Sequence, residues 1–151
     1  MKERMIMEKI PVKKLRENAI LPTYGSTEAA GADLYACLEE PVVVEPGASV
    51  FVPTGLAMEI PQGYAGLIYA RSGLACKRGL APANKVGVID SDYRGEFIVV
   101  LHNHSDKAET VANGERIAQL VIAPVFTPGF CEVEELNDTQ RAAGGFGSTG
   151  K

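Results

Sequence analysis

Short apolar runs, cut every eight to twelve residues by Gly and Pro, set the terms for what this chain can fold into. They include Pro41-Val-Val-Val-Glu-Pro-Gly47, Ser49-Val-Phe-Val-Pro-Thr-Gly55, Leu56-Ala-Met-Glu-Ile-Pro61 and Gly66-Leu-Ile-Tyr-Ala70. Further on come Lys85-Val-Gly-Val-Ile89, Glu96-Phe-Ile-Val-Val-Leu101 and Ile117-Ala-Gln-Leu-Val-Ile-Ala-Pro-Val-Phe126. β-Branched residues dominate these runs, which therefore read as strands rather than helices. Pro46-Gly47 and Pro61-Gln-Gly63 are turn punctuation. Helix is expected at most over Ser72 to Arg78 and in the acidic segment near Glu132 to Gln140. An all-β sandwich or jelly roll follows.

With 151 residues, the chain is the size of one domain and can bury about 70% of its unfolded surface. No internal repeat and no linker divides it. The net charge of −4 argues against a nucleic-acid polymer as partner, since such binders usually carry a basic face. A single nucleotide is compatible with it, because a few arginines and a cation can neutralise the phosphates. Cys37, Cys76 and Cys131 are odd in number and form no C-x-x-C pair, which disfavours a disulfide framework or zinc site and fits a reducing cytosol. The start, Met1 to Met7, lacks an apolar leader core, and no stretch of eighteen apolar residues occurs, so a soluble cytoplasmic chain with no membrane partner is expected.

From about Asn137 the apolar periodicity disappears and a glycine-rich end begins, Arg141-Ala-Ala-Gly-Gly-Phe-Gly-Ser-Thr-Gly-Lys151. Gly145 to Lys151 fits the G-x-x-x-x-G-K part of a phosphate-binding loop, but no strand leads in and no helix follows. What remains is accessible backbone N–H, two hydroxyls, an arginine and an aromatic ring. That inventory suits a mobile arm closing over a nucleotide; a frayed terminus is the plain alternative.

Four internal clusters carry chemistry. Gly87-Val-Ile-Asp-Ser-Asp-Tyr-Arg-Gly-Glu96 places a polar turn between two apolar strands, a hairpin signature. Asp90 follows Val88-Ile89 directly, where a carboxylate fixed at a strand end can take a proton from water. Tyr93 could pack against a sugar or a base; a plain polar turn is the bland reading. In Tyr69-Ala-Arg-Ser-Gly-Leu-Ala75, a guanidinium, a hydroxyl and open backbone could clamp phosphate, or form a solvated turn. Asp33, in the apolar run Ala30 to Ala36, needs a hydrogen-bond donor or a metal hydration shell. Gln119, within Gly114 to Leu120, is either a satisfied core amide or a ligand contact. His102 and His104 share a strand face and could bind metal only with a third ligand from elsewhere, so they read as surface residues, and Cys76, with no base placed for it, reads as packing.

These segments, in this order, resemble the trimeric deoxyuridine triphosphate nucleotidohydrolases (dUTPases). The motifs are Ala30–Ala36, Arg71–Ala75, Gly87–Glu96, Gly114–Leu120 and Arg141–Gly150; Ala70 departs from the Pro or Gly that often precedes Arg-Ser-Gly. The resemblance implies an all-β, jelly-roll-like distorted barrel as a single domain over residues 1–136. A flexible glycine-rich arm, 137–151, would close over an active site. It implies a homotrimer with active sites at subunit interfaces and dUTP as partner. Such placement favours closure over a neighbour's site, with the arm's own site as the alternative. The implied reaction is hydrolysis of dUTP to dUMP and pyrophosphate with Mg²⁺, which keeps uracil out of DNA and supplies dUMP for thymidylate synthesis.

By the same resemblance, Asp90 activates the attacking water. Asn84 and the backbone of the hairpin, including Gly87, Val88 and Ile89, pair with uracil. Tyr93 packs under the deoxyribose, where a 2′-hydroxyl would clash. Arg71, Ser72, Gly73 and Gln119 contact phosphates, and Asp33 holds Mg²⁺ through water, the ion resting mainly on the substrate's phosphates. On the arm, Phe146 stacks on uracil beside Gly147, while Arg141, Ser148 and Thr149 meet the γ-phosphate. A dCTP deaminase would need a carboxylate facing the cytosine amino group, and a nucleotide sensor would need neither Asp90 nor a complete arm.

Overall fold

The computed structural model describes residues 9–150. The expectations placed on Met1 to Met7 and on Lys151 lie outside those residues. In chain order the elements are β1 (Val12–Lys14), β2 (Thr23–Tyr24), β3 (Ala32–Tyr35), β4 (Val42–Val44), β5 (Ser49–Pro53), β6 (Leu56–Met58) and β7 (Tyr64–Tyr69). After them come α1 (Ser72–Arg78), β8 (Leu80–Pro82), β9 (Gly87–Ile89), β10 (Ile98–Asn103), β11 (Glu109–Val111) and β12 (Arg116–Pro124). Seven of the strands overlap the apolar runs, and an eighth, β3, falls within the run around Asp33. The other four are two- or three-residue strands, too short to show a period of two. Long-range pairing creates them, as when β1 pairs with β6 and β11 with β4.

Among the described residues all pairings are antiparallel. The largest sheet has five strands in the order β2-β3-β12-β7-β9, a second has the order β5-β10-β8, and two are two-stranded. One core unites them: Leu34, Val44, Val52, Leu56, Ile68, Leu80, Leu101, Val111 and Ile117 come from nine different strands and meet in a single buried cluster. The alternation that builds it is visible on β10, where Val99, Leu101 and Asn103 point inward. The fold is thus all-β and jelly-roll-like, as expected. Its sheets remain open, however, so the barrel is an enclosure of the core and not a continuous ladder.

Two further expectations change. The acidic segment near Glu132 is not helical, and residues 125–150 contain no strand or helix. Short helices in water need an apolar face to pack, and here Phe126, Phe130, Val133 and Leu136 all remain exposed. The predicted hairpin over Gly87–Glu96 is also replaced by a crossover. β9 pairs with β7, whereas β10 pairs with β5 and β8. The link between β9 and β10 is longer than the usual hairpin connection, and it carries the chain from one sheet to the other. Helix α1 forms where expected and ends at Gly79, whose φ is 67°. Its last residue, Arg78, donates to Glu109 at 2.8 Å, to Glu115 at 3.1 Å and to the Thr110 carbonyl at 2.6 Å.

Candidate active site

One row across the large sheet gathers three of the predicted motifs. Gln119 on β12 stands opposite Asp33 on β3 and opposite Tyr69 on β7. Two residues past Tyr69 the chain turns into α1, which brings Arg71 back over the row. Arg71 Nε donates to Asp33 Oδ1 at 2.8 Å, and Arg116 Nη1 lies 3.6 Å from Asp33 Oδ2. Two guanidiniums around one half-buried carboxylate leave this corner locally positive, whatever the overall charge. Gln119 Nε2 donates to the Ala70 carbonyl at 2.8 Å, fixing the strand-to-helix turn. The amide therefore has a structural partner, while its oxygen remains beside Gly31.

Ser72 and Gly73 open α1, which has no side-chain cap, and both are exposed. Their backbone N–H groups belong to the first turn, where no intrahelical acceptor exists. Among the described residues no hydrogen bond engages the Arg71 Nη groups. Arg71 and Gly73 line an open concavity of about 480 Å³ together with Lys77, Arg78 and Arg116. The Arg78 guanidinium is held above its ordinary range, first by its hydrogen bond to Glu109, with burial opposing and the charge of Glu115 adding. A raised arginine contributes to stability throughout the neutral range and loses that contribution only as pH rises through its raised value.

The remaining motif residues build a second wall elsewhere. β9 is the outer strand of its sheet, so one edge of Gly87-Val88-Ile89 presents N–H and C=O groups to a ligand. Asn84 leans over this edge: a Cβ on Gly87 would lie 3.5 Å from Asn84 Nδ2. Between β8 and β9 the turn is tight, with Lys85 at φ 66° and Val86 N donating to Asn84 O at 2.7 Å. Asp90 leaves the end of β9 exposed, and no hydrogen bond from a described residue engages its carboxylate. It lines an open concavity of about 550 Å³ with Gly63, Tyr64, Asp92 and Val125. Tyr93 folds back over its own loop, its hydroxyl donating to the Glu96 carbonyl at 2.9 Å.

The two walls stand at opposite ends of β7. Ile89 is opposite Gly66, so Asp90 emerges at the Ala65 end, whereas Arg71 follows the Tyr69 end. Six residues of strand at about 3.3 Å each separate them by about 20 Å. The predicted arm residues belong to neither wall. Arg141, Ser148 and Thr149 line a concavity with Gly144, and Phe146 is fully exposed near Gly147. Successive turns hold the arm, as in Ser148 N to Gly145 O at 3.0 Å. Among the described residues no hydrogen bond or ion pair joins 126–150 to the sheets. An apolar groove of about 570 Å³, lined in part by Ile10, Leu21, Met58 and Ile122, contains none of the predicted site residues.

Sequence reasoning singled out neither Gly31 nor Arg116. A Cβ on Gly31 would lie 2.3 Å from Gln119 Oε1, so the amide occupies the space that only glycine leaves. Arg116 stood inside a quoted motif, and an arginine three residues before Gln119 was the available signal. No group of three or more His, Cys, Asp or Glu side chains able to hold a metal occurs among the described residues.

A family model described as dUTPase matches residues 17–150. The deoxyuridine 5'-triphosphate nucleotidohydrolase of Syntrophotalea carbinolica is 52% identical over 141 residues, spanning 93% of this chain and 96% of that protein. That of Nautilia profundicola is 53% identical over 143 residues, spanning 95% and 99%. Among solved structures, the dUTPase of Staphylococcus bacteriophage 80alpha with dUPNHPP superposes with a TM-score of 0.87 at 32% identity, covering 96% of this chain and 100% of that one. A mutant dUTPase from phage phi11 of S. aureus, described for its coordination of a structural Mg(II) ion, gives a TM-score of 0.78 at 29% identity over 87% of this chain and 100% of that one. Motifs, fold and relatives agree over nearly the whole length: the chain belongs to the dUTPase family, and its activity is that of a dUTP diphosphatase.

Proposed function

We propose that this chain hydrolyses dUTP at the α-phosphorus through a water activated by Asp90, in a site completed by other copies of the chain. The observation that carries the reading is the separation of Asp90 from Arg71 along β7. A base acting at the α-phosphate and a guanidinium on the same triphosphate must lie within a few ångströms of one nucleotide. The roughly 20 Å of strand between them supports a site shared between chains over one built within a single chain. A homotrimer, with the Asp90 wall of one copy facing the Arg71 wall of the next, supplies both.

In this reading uracil pairs with the outer edge of β9 and the Asn84 amide. Cytosine would cover those polar groups without matching them, and polar groups shut off from water are costly to leave unpaired. The tight turn at Lys85 excludes the thymine methyl, and the Tyr93 ring lies under the deoxyribose where a 2′-hydroxyl would clash. Asp90, with no donor from the described residues, takes the proton of the attacking water. Charge developing on the phosphate oxygens meets Arg71, the N–H groups of Ser72 and Gly73, and Gln119. The arm, residues 137–151, then closes, with Phe146 on uracil and Arg141, Gly147, Ser148 and Thr149 around the γ-phosphate, excluding other water.

The chain's own donors fit Mg²⁺ only as an outer contact. Asp33 already faces Arg71 and Arg116, so it would hold the ion through water while the phosphates bind it directly. When bound, the ion supplies charge neutralisation on the triphosphate. Such a reaction fits a cytoplasmic enzyme that keeps uracil out of DNA and yields dUMP for thymidylate synthesis; no helix among the described residues is long and apolar enough to cross a membrane. A pyrophosphate-release assay over dUTP, dTTP, dCTP and UTP tests base, sugar and reaction together. Turnover confined to dUTP is expected, and comparable release from UTP would overturn the sugar contact.

A further inference from the structure

The loop that carries Tyr93 is braced from a distant part of the chain. Tyr93 donates its hydroxyl to the main-chain carbonyl of Glu96 at 2.9 Å. The Glu96 side chain is in turn gripped by Arg16, whose Nη2 lies 3.0 Å from Oε1 and whose Nη1 lies 3.4 Å from Oε2. That pair spans 80 positions in sequence. Neither end is loose. On the Arg16 side, Leu15 N donates to Gly55 O at 2.7 Å; on the other, Phe97 N donates to Leu56 O at 2.8 Å. Gly55 and Leu56 are consecutive, so one point of the core anchors both halves of the brace.

The ring itself is positioned by absence. A Cβ at Gly95 would lie 2.5 Å from the Tyr93 hydroxyl oxygen and 2.6 Å from Cζ. The ring therefore lies directly on the glycine backbone, with the buried Phe97 ring 6.2 Å away at a tilt of 40°. Tyr93 is nevertheless 42% exposed, so its outward face is available while its hydroxyl end is tied down.

We propose that Arg16, through Glu96, is a positioning residue that sets the discrimination between 2′-deoxyribose and ribose nucleotides by fixing the Tyr93 ring. This rests on the reading of Tyr93 as the residue beneath the sugar. A few tenths of an ångström decide whether a hydroxyl fits beneath a sugar, so a ring free to tilt admits what a fixed ring rejects. Among the described residues Arg16 lines neither the concavity of Asp90 nor that of Arg71. Its ion pair is 43% exposed on the arginine side, and solvent-screened pairs contribute little to global stability. Its loss should register in selectivity instead of folding.

The test is the ratio of kcat/KM for dUTP to that for UTP in the full-length protein and in Arg16→Met and Tyr93→Ala. Arg16→Met is expected to lower the ratio about tenfold, through a gain on UTP, with dUTP turnover within about threefold and an unchanged urea midpoint. If Tyr93→Ala collapses the ratio while Arg16→Met leaves it unchanged, the brace has no role in selectivity and the proposal is wrong. If Tyr93→Ala itself leaves the ratio unchanged, the assignment of Tyr93 beneath the sugar fails, and the proposal with it.

Discussion

Arg71 and Asp33 are 38 positions apart in sequence and meet at 2.8 Å, Nε to Oδ1, where the end of β7 folds back over β3. That bond uses the Nε donor, and among the described residues no hydrogen bond engages the two Nη groups. Asp33 thus orients Arg71 while Arg116, at 3.6 Å, shares the same carboxylate. In Asp33→Asn the geometry can persist but the charge that orients both arginines is gone. Steady-state kinetics should show kcat/KM for dUTP reduced by about ten- to a hundredfold, the scale of a lost charged positioning contact. Unchanged kinetics would show that Arg71 is held well enough by Gln119 and the start of α1 alone.

Asp90 contrasts with Asp33: it has no donor from the described residues and stands exposed at the end of β9. An unpaired carboxylate is free to receive a proton. Asp90→Asn keeps the shape and removes the base, so dUTP affinity should be nearly preserved while turnover falls at least about a hundredfold. Binding is measured with a non-hydrolysable dUTP analogue and turnover by pyrophosphate release. Near-normal turnover would remove Asp90 from the role of base.

The arm presents a different test, because nothing among the described residues ties 126–150 to the sheets by hydrogen bond or ion pair. Ending the chain at Asn137 deletes Arg141, Phe146, Ser148 and Thr149 but no residue of the core cluster. Sedimentation and the urea midpoint should match the full chain, while dUTP turnover nearly vanishes. Full activity in the truncated protein would leave the arm without a catalytic part.

How much of this was legible beforehand depends on the range of the interaction. β-Branched runs announce strands locally, and Ser72–Arg78 announces a short helix, because propensity and punctuation act over a few residues. Asp33 and Gln119 could be named because a charge or amide inside an apolar run demands a partner, Arg71 and Asp90 because they stand where such runs end, and Asn84 only through the family resemblance. Pairing was not legible. Nothing local tells β9 to join β7 in place of β10, and the polar turn after Ile89 reads equally well as a hairpin or a crossover. The Arg16–Glu96 pair was hidden for the same reason: contacts across 80 positions exist only once Gly55 and Leu56 have brought both partners to one place.

The distance along β7 yields the most direct test of a shared site. If Asp90 and Arg71 of one chain served the same dUTP, a mixture of Asp90→Asn and Arg71→Ala chains would contain no intact site in any combination. If the site joins Asp90 of one copy to Arg71 of another, a mixed assembly contains intact sites wherever an Arg71→Ala chain contributes its Asp90 and an Asp90→Asn chain contributes its Arg71. Random mixing of equal amounts gives both conditions in roughly a quarter of the sites, since each is met half the time in a closed ring of equivalent interfaces. Two nearly inactive proteins, unfolded and refolded together, should therefore recover roughly a quarter of native turnover, while each refolded alone recovers almost none. Recovery depends on chain exchange, so mixing without unfolding is the control and should show little gain. Absence of recovery in co-refolded material, with mixed assemblies demonstrated by differently tagged chains, would place both residues on the same nucleotide within one copy and would require the roughly 20 Å of β7 between them to be bridged by another route.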